Sequence, residues 1–370
     1  MNTPATPRFR ALQEEPGLSS PAAATPEVPA LQRLLTQDRL TPAEFRLLLS
    51  PAAETLLEPL ARRAQELTLR HFGRTMQLYT PLYLANYCVN GCTYCGYSAG
   101  QRIERHRLTP DQLRREAEVI AATGLRHVLV LTGESLTHTP PDYIGGCIEI
   151  LRDYFTSIAI EIYPLNVDSY RELAGRGADS LTLYQETYDR TRYAELHPYG
   201  PKRDYDFRLA APERACQAGL RAVNIGALLG LHDARLEFLL TGLHAHCLQE
   251  QYPGVDLAVS LPRIRPVPGG FQPAVEVTDQ MLAQFIAAFR LFMPRAGIAL
   301  STRERASIRD GLIHFGVTRL SAGSNTAVGG RTCQSGSGQF EIDDHRGVAE
   351  ISAMLYQAGR QPVFKDWQAL

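Results

Sequence analysis

The chain has almost no lysine and almost no net charge. Among its 38 basic residues only Lys202 and Lys365 are lysines, and the formal net charge is −1 over 370 residues. A nearly neutral chain has no overall field that would draw it to nucleic acid or to a membrane surface. Residues 1–10 lack the apolar core of a signal peptide, and no apolar run is long enough to span a bilayer. We therefore expect a cytoplasmic protein that binds neither nucleic acid nor membrane.

The sequence also lacks an evenly spaced cysteine framework and a second Cys-x2-Cys pair. Without an export signal, this usage indicates a reducing compartment, in which thiols bind metals or pack in the core rather than form disulfides. The seven cysteines are Cys88, Cys92, Cys95, Cys147, Cys216, Cys247 and Cys333.

Composition divides the chain into three segments. Residues 1–30 are rich in proline, alanine and serine, so they have little apolar surface to bury and we expect them to be disordered. Residues 31–76 have a helical pattern, with helix starts predicted at Thr41-Pro42 and Ser50-Pro51. From residue 77 to residue 370, short apolar runs alternate with amphipathic stretches, which predicts one large α/β domain ending in a C-terminal segment.

The apolar runs number eight, and each is followed by a helical pattern. That count predicts a TIM-type (β/α) barrel of eight parallel strands with an N-terminal helical extension. A doubly wound open sheet would show the same alternation, so it remains an alternative. The predicted strands are Gln77–Tyr87, His127–Glu134, Ser157–Pro164, Ser180–Thr187, Ala222–Gly230, Asp256–Leu261, Gly297–Glu304 and Val317–Ser324.

Polar side chains stand at the carboxyl ends of several predicted strands. In a barrel these ends meet at one face, where catalytic residues gather. We therefore expect the chemistry of the protein to lie at this face. The strand-end residues are Glu134, Glu161, Gln185, Glu186, Arg303 and Ser321.

Three cysteines follow the first predicted strand at spacing x3 and then x2. Cys88, Cys92 and Cys95 can each bind one iron of a 4Fe–4S cluster, which leaves the fourth iron without a protein ligand. A structural zinc site or an electron-transfer cluster would need a fourth ligand, and no further cysteine pair supplies one. The pattern therefore favours a cluster with one open iron that can bind a small molecule.

This triplet, with Tyr94 just before its last cysteine, resembles the radical S-adenosylmethionine (SAM) superfamily. Gly133 and Glu134, in Thr132-Gly133-Glu134, are similar to the motif that binds the methionine amino group, although threonine replaces the more common glycine. Glu161 matches the acidic contact to the ribose hydroxyls. Ile225, in the fifth strand, lies in an apolar motif that packs beside adenine. The resemblance implies a 4Fe–4S cluster and SAM as cofactors.

Further segments from residue 31 onward resemble the 2-iminoacetate synthase family. The resemblance implies cleavage of the Cα–Cβ bond of L-tyrosine to 2-iminoacetate and 4-methylphenol for the thiazole of thiamine. It also implies thiazole synthase as partner and a flavodoxin- or ferredoxin-type electron donor. The segments are Gln185-Glu-Thr-Tyr188, Gly200-Pro-Lys-Arg-Asp204, Arg208-Leu, Pro212-Glu-Arg214, Leu300-Ser-Thr-Arg-Glu304, Gly338-Gln-Phe340 and Pro362-Val-Phe-Lys365-Asp366-Trp367.

Two other functions remain open at this point. Tryptophan lyase, of the same superfamily, applies the same chemistry to an indole, and a non-catalytic iron–sulfur redox or sensor protein would need the cysteines alone. The related hydrogenase maturase carries an additional cysteine-rich C-terminal domain, for which this chain has no closely spaced cysteines after Cys95.

The substrate carboxylate needs a buried cationic partner, because its desolvation is costly unless it is paired. Arg303 and Ser321, at the seventh and eighth strand ends, are our candidates, against the alternative that Arg303 pairs with its neighbour Glu304. Arg208 is a candidate for the cofactor carboxylate or, equally, a solvated helix residue. Cys333 lies in a glycine-rich loop and has no assigned role.

Overall fold

The fold is a closed barrel of parallel strands, as seen in a computed structural model that describes residues 5–15, 18, 26–267, 270–332 and 338–365. The strands run in the order β2-β3-β4-β5-β6-β7-β8-β1, and β1 also pairs with β2, which closes the ring. The strands are β1 (Thr75–Ala85), β2 (His127–Thr132), β3 (Ser157–Glu161), β4 (Ser180–Glu186), β5 (Ala222–Ala227), β6 (Asp256–Ser260), β7 (Gly297–Leu300), β8 (Arg319–Ser321) and β9 (Gln361–Val363).

The eight-stranded barrel confirms the predicted fold class and excludes the open sheet. Six strands begin at the predicted residue, but several end earlier than predicted, because the chain leaves the hydrogen-bonded ladder to form the loops at the barrel mouth. The short strand β9 was not predicted. It pairs with the start of β1, where Thr75 lies opposite Gln361.

Helices cover the outside of the barrel, and an additional helical layer precedes β1. Thr41 caps α3 through a capping box, as the predicted start at Thr41-Pro42 requires. The helices are α1 (Ala5–Glu14), α2 (Val28–Leu34), α3 (Pro42–Leu48), α4 (Leu57–Phe72), α5 (Pro110–Ala122), α6 (Pro141–Leu151), α7 (Val167–Arg176), α8 (Arg190–Leu196), α9 (Tyr205–Leu209), α10 (Ala211–Gln217), α11 (Ala234–Gln251), α12 (Asp279–Phe292), α13 (Ala306–Leu312) and α14 (Val348–Gln357), with 3₁₀ turns at Pro51–Leu56 and Pro201–Arg203.

Both faces of the barrel strands are buried, which is why the strands are continuous apolar runs. In β2, Val128 and Val130 are fully buried, and Leu129 and Leu131 are almost so. One face packs on the helices and the other fills the barrel. At the carboxyl end the filling stops and polar residues begin, so the fold leaves its free space at the mouth.

The prediction that residues 1–30 are disordered is wrong for residues 5–15. Helix α1 packs against α11, and Phe9 is fully buried in contact with the rings of Tyr188 and His244. The backbone amides of Ala5 and Thr6 donate to the Glu213 carboxylate at 2.8 and 2.9 Å. Residues 1–4, 16–17 and 19–25 of the predicted segment lie outside the described residues.

Every helix in the described ranges is too short or too polar to cross a lipid bilayer.

Candidate active site at the mouth of the barrel

The three cysteines lie in the loop that follows β1 and face a cavity at the mouth of the barrel. Cys88, Cys92 and Cys95 line this cavity together with the predicted residues Gly133, Glu134, Glu161 and Arg208. The structure thus brings residues from the first four βα connections of the barrel to a single space.

Hydrogen bonds from neighbouring loops fix the cysteine loop. The amide of Val89 donates to the carbonyl of Glu134 at 2.9 Å, and the amide of Gly91 donates to the carbonyl of Tyr199 at 3.1 Å. A Cβ atom at Gly91 would lie 2.3 Å from the Tyr199 ring, so a larger residue there would displace that exposed side chain. The loop is held in place by contacts that no cofactor supplies.

The sulfurs of Cys92 and Cys95 are buried in surroundings that disfavour a thiolate without a metal. Burial raises the pKa of Cys92 to about 12 and also raises that of Cys95. The Cys95 sulfur accepts hydrogen bonds from the Gln339 side chain at 3.5 Å and from the Tyr97 amide at 3.4 Å. Thiolates that are buried in this way need iron to balance their charge, so the donor set fits a 4Fe–4S cluster.

The end of β2 lies directly beside the cysteine loop. A Cβ at Gly133 would lie 2.3 Å from the carbonyl oxygen of Tyr87, so only glycine fits there. The Asn90 side chain donates to the Glu134 carboxylate at 2.6 Å. The hydroxyl of Thr132 is buried in the cavity wall without a hydrogen-bond partner among the described residues. The Glu134 carboxylate, the Thr132 hydroxyl and the backbone at Gly133 can bind polar groups. They fit the amino and carboxylate groups of a bound amino acid, such as the methionine part of SAM.

A buried charge cluster forms the opposite wall of the cavity. The Lys202 ammonium donates to the Glu186 carboxylate at 2.7 Å, and the Arg208 guanidinium donates to the same oxygen at 3.2 Å. Burial acts to raise the pKa of Glu186, but the two cations outweigh this effect and hold it below its usual value. Arg208 also donates to the carbonyl of Tyr184 at 2.8 Å, so it is a buried residue of the site and not a solvated one.

Arg303 follows β7 and faces an adjoining part of the mouth. Its guanidinium lies 3.4 Å from the centre of the Phe340 ring, and no carboxylate in the described part of the chain pairs with it. The alternative pairing with Glu304 is not seen, because Glu304 accepts hydrogen bonds from Arg263 instead. Burial lowers the pKa of Arg303, which shows that its cation is poorly solvated. An anionic ligand would relieve this cost.

Ser321 and Glu161 complete the space around Arg303. Both residues line the same cavity as Arg303, and Glu161 also lines the cavity that holds the cysteines. The Ser321 hydroxyl oxygen accepts from the Thr302 amide at 3.0 Å, and the Ser321 side chain also hydrogen-bonds the Tyr79 phenol. Burial raises the pKa of Glu161 to about 7, and Arg303 opposes that increase. The cofactor space and the adjoining pocket therefore meet at Glu161.

Tyr94 and Ile225 are not among the residues that line the cavity with all three cysteines. The Tyr94 hydroxyl bonds to the Nε2 atom of His197 at 2.7 Å, and its ring lines a pocket next to Cys95. Ile225 is buried in β5 and is not among the residues lining the cysteine cavity. Cys333 lies outside the described residues.

Sequence reasoning missed Lys202 and Gln339 as residues of the site. Lys202 is one of only two lysines in the chain, and that rarity was the available signal for it. Gln339 lies in the Gly338-Gln-Phe340 segment that resembles the family, but its contact with Cys95 joins residues 244 positions apart and has no local sequence signal.

A loop with the spacing Cys-x3-Cys-x2-Cys, at the mouth of a (β/α)8 barrel, is the arrangement that defines a radical SAM protein. The family models agree with this class. Residues 82–241 match the radical SAM superfamily, and residues 260–361 match the biotin and thiamin synthesis associated domain.

Curated relatives narrow the class to one family. The chain is 40% identical to 2-iminoacetate synthase of Escherichia coli over 92% of this chain and 90% of that protein. It is 39% identical, with the same coverage, to 2-iminoacetate synthase of Salmonella typhimurium. The chain belongs to the 2-iminoacetate synthase family of radical SAM lyases, whose cofactors are a 4Fe–4S cluster and SAM.

Solved structures support the same relationship. The structure of the FeFe-hydrogenase maturase HydG from Carboxydothermus hydrogenoformans is 30% identical and superposes with a TM-score of 0.85, over 97% of this chain and 82% of that chain. The shared fold thus extends over nearly the whole length of the chain.

Proposed function

We propose that this lyase cleaves the Cα–Cβ bond of L-tyrosine, giving 2-iminoacetate and 4-methylphenol for the thiazole of thiamine. The single observation that carries the assignment of the substrate site is the Arg303 guanidinium, which lines the mouth of the barrel without a carboxylate partner among the described residues. An amino-acid substrate supplies the missing anion. Family membership supplies the reaction.

The carboxylate of tyrosine binds Arg303 in this proposal, with the Ser321 hydroxyl as a second donor. Arginine binds a carboxylate through two parallel hydrogen bonds, which fixes the orientation of the substrate as well as its position. The aromatic ring then occupies the apolar part of the same pocket, between Leu129, Leu131 and Tyr184.

The cofactor contacts follow from the adjoining cavity. Cys88, Cys92 and Cys95 would hold the cluster, while Gly133 and Glu134 would hold the amino group of SAM. When bound, the cluster supplies one electron and SAM supplies the 5′-deoxyadenosyl group, which removes a hydrogen atom from the substrate. The residues of the chain position the reactants and exclude water from the barrel.

The remaining cofactor residues are assigned from the family pattern. Tyr94, next to the last cysteine, and Ile225, in β5, would pack near the cofactor without polar contact, and Arg208 would lie beside its carboxylate. The family pattern assigns Glu161 to the ribose hydroxyls, although Glu161 also lines the pocket that contains Arg303 and Ser321.

Two protein partners belong to the same proposal. A flavodoxin- or ferredoxin-type protein would supply the electron, and thiazole synthase would receive 2-iminoacetate before it hydrolyses in water. We place the reaction in the cytoplasm, because an open iron–sulfur cluster needs a reducing compartment.

Anaerobic reconstitution followed by product analysis tests the proposal. The protein is loaded with iron and sulfide, reduced with dithionite, and supplied with SAM and either carbon-labelled tyrosine or tryptophan. With tyrosine we expect 5′-deoxyadenosine, 4-methylphenol and labelled glyoxylate, the hydrolysis product of 2-iminoacetate.

The outcomes separate the alternatives. An indole product from tryptophan, without 4-methylphenol from tyrosine, would make the protein a tryptophan lyase. A cluster that is reduced but never consumes SAM would make it a redox or sensor protein.

A further inference from the structure

Two unpaired charges of opposite sign face each other across the mouth of the barrel. Glu161 is the last residue of β3, and Arg303 follows β7 by three residues. These strands lie opposite each other, because three strands separate them in either direction around the ring. Both side chains line the same pocket, together with Ser321.

Neither charge is satisfied by the protein. No described residue donates a hydrogen bond to the Glu161 carboxylate, and no described carboxylate accepts one from the Arg303 guanidinium. They do not form an ion pair with each other at 4 Å or less, although each affects the titration of the other. The other buried charges of the site are paired, as Glu186 is with Lys202 and Arg208.

We propose that Glu161 binds the ammonium group of the amino-acid substrate and accepts its proton, while Arg303 binds the carboxylate. This inference deepens the proposed function and depends on it. In a zwitterion, one carbon atom separates the two charged groups, so a ligand held by Arg303 presents its ammonium group nearby. A zwitterion satisfies both unpaired charges at once, which neither an anion nor a cation can do.

The proton transfer leaves the substrate with a neutral amine. The ammonium N–H bond breaks, the proton joins a Glu161 oxygen, and the electron pair stays on nitrogen, so the total charge does not change. Removal of a hydrogen atom from the neutral amine gives a neutral aminyl radical, whereas removal from the ammonium group would give an aminium radical cation.

The surroundings of Glu161 support a role as a base. Burial raises its pKa to about 7, so it holds a transferred proton far better than an ordinary carboxylate does. The charged and titratable groups that face it are Arg303 after β7, Glu186 in β4, Lys202 and Arg208 in the segment after α8, and the phenols of Tyr79, Tyr83 and Tyr184.

The test compares two ligands that differ only in the amine. Holoenzyme with SAM, without reductant, is titrated with L-tyrosine and with 3-(4-hydroxyphenyl)propanoate, which keeps the carboxylate and the phenol. We expect the wild-type protein to bind tyrosine about 10- to 100-fold more tightly, the range of a charge-assisted hydrogen bond. In Glu161→Gln the preference should fall at least ten-fold, because tyrosine binding weakens while propanoate binding does not.

Two further variants complete the design. Glu161→Asp keeps the charge and should retain part of the preference. Glu118→Gln makes the same substitution on the exposed face of α5 and should behave like the wild type. If Glu161→Gln does not fold, the wild-type protein and Glu161→Asp still test the inference. Equal affinities of the wild-type protein for tyrosine and for 3-(4-hydroxyphenyl)propanoate would overturn it.

A role at the ribose would give the opposite pattern. Glu161→Gln would then weaken SAM binding measured without tyrosine and would leave the preference for tyrosine intact, which overturns the inference. Failure of the proposed function is distinct, because a wild-type enzyme that forms no 4-methylphenol from tyrosine refutes that proposal whatever the binding data show.

Discussion

At the scale of single residues, Cys92 shows why the cluster loop tolerates no other side chain. Its sulfur is buried in the site, and a serine hydroxyl there would neither ionise nor bind iron comparably. We expect Cys92→Ser to lose the cluster, measured as iron content and visible absorption, and to lose SAM cleavage. Cys216→Ser, in α10 away from the mouth, should keep both. A Cys92→Ser protein with full iron content would contradict the assignment of the ligands.

Arg303 is the residue on which substrate binding should depend most. Replacing it by glutamine removes a charge-assisted hydrogen bond, which is worth about 1.5–3 kcal/mol. We expect Arg303→Gln to raise the KM for tyrosine by about 10- to 150-fold while the dissociation constant of SAM stays unchanged. Arg305→Gln is the control, because Arg305 is exposed and pairs with Asp279 on the outside. An unchanged KM in Arg303→Gln would place the carboxylate elsewhere.

For single residues, prediction from the sequence succeeded where the residues form a short motif with a fixed spacing. The cysteine triplet and Gly133-Glu134 were recognised because their neighbours in the chain form the motif. The Lys202–Glu186 pair and the contact of Gln339 with Cys95 join distant loops, and no local pattern encodes them. Their positions depend on the closed barrel.

At the scale of elements, the end of β2 and the cysteine loop pack as one unit. Because a Cβ at Gly133 would lie 2.3 Å from the Tyr87 carbonyl, Gly133→Ala must push the two segments apart. We expect SAM affinity to fall at least ten-fold, measured by equilibrium binding to the reconstituted protein. Gly146→Ala is the matched control, since nothing lies within 4 Å of a Cβ there and alanine favours a helix by about 0.5–1 kcal/mol. Equal SAM affinity in both variants would refute this account.

Helix α1 depends on one aromatic side chain for its docking. Phe9 is fully buried against Tyr188 and His244, and truncation of a buried phenylalanine costs about 3–5 kcal/mol where the structure cannot collapse. We expect Phe9→Ala to release α1 locally, seen as faster hydrogen exchange of α1 amides with the barrel strands unchanged. Arg10→Ala, at a half-exposed ion pair, should change exchange little. Unchanged α1 protection in Phe9→Ala would show that other contacts hold the helix.

The same helix shows where prediction of elements failed. The barrel strands were placed correctly because each is a buried apolar run, and six of them begin at the expected residue. Helix α1 has a weak apolar face, and its amides are satisfied by Glu213, more than 200 residues away. The amino-acid composition predicted disorder for this segment, because composition contains no information on Glu213, which lies next to α1 only in the folded barrel.

At the scale of the whole molecule, two neutral histidines buried in the structure make stability depend on pH. His197 is fully buried and His244 almost so. The Nδ1 atom of His197 donates to the Tyr193 carbonyl at 2.7 Å, which leaves Nε2 to accept from Tyr94. Burial lowers the pKa of each histidine to about 3. Both rings are therefore neutral in the folded protein at neutral and mildly acidic pH.

The direction of the pH effect follows from these pKa values. In the unfolded chain a histidine takes up a proton near pH 6.5, whereas the folded protein resists protonation until about pH 3. The unfolded state therefore binds more protons between these values, and the free energy of unfolding falls as the pH falls through that window. The contribution of each histidine approaches about 1.4 kcal/mol per pH unit below pH 6.5 and amounts to about 1.6 kcal/mol between pH 6.5 and pH 5, because the unfolded histidine is only half protonated at pH 6.5.

Removing one histidine should remove its share of this pH dependence. Urea unfolding of the anaerobic protein at several pH values between 6.5 and 5 measures the slope of the unfolding free energy. We expect His244→Gln to lower the average slope over this range by about 1.1 kcal/mol per pH unit, because glutamine takes up no proton in the unfolded state. His345→Gln, at an exposed side chain, should leave the slope as in the wild type. If His244→Gln keeps the wild-type slope, His244 is not held neutral in the folded protein. The packing of Phe9 of α1 against the His244 ring of α11 would then not involve a neutral histidine.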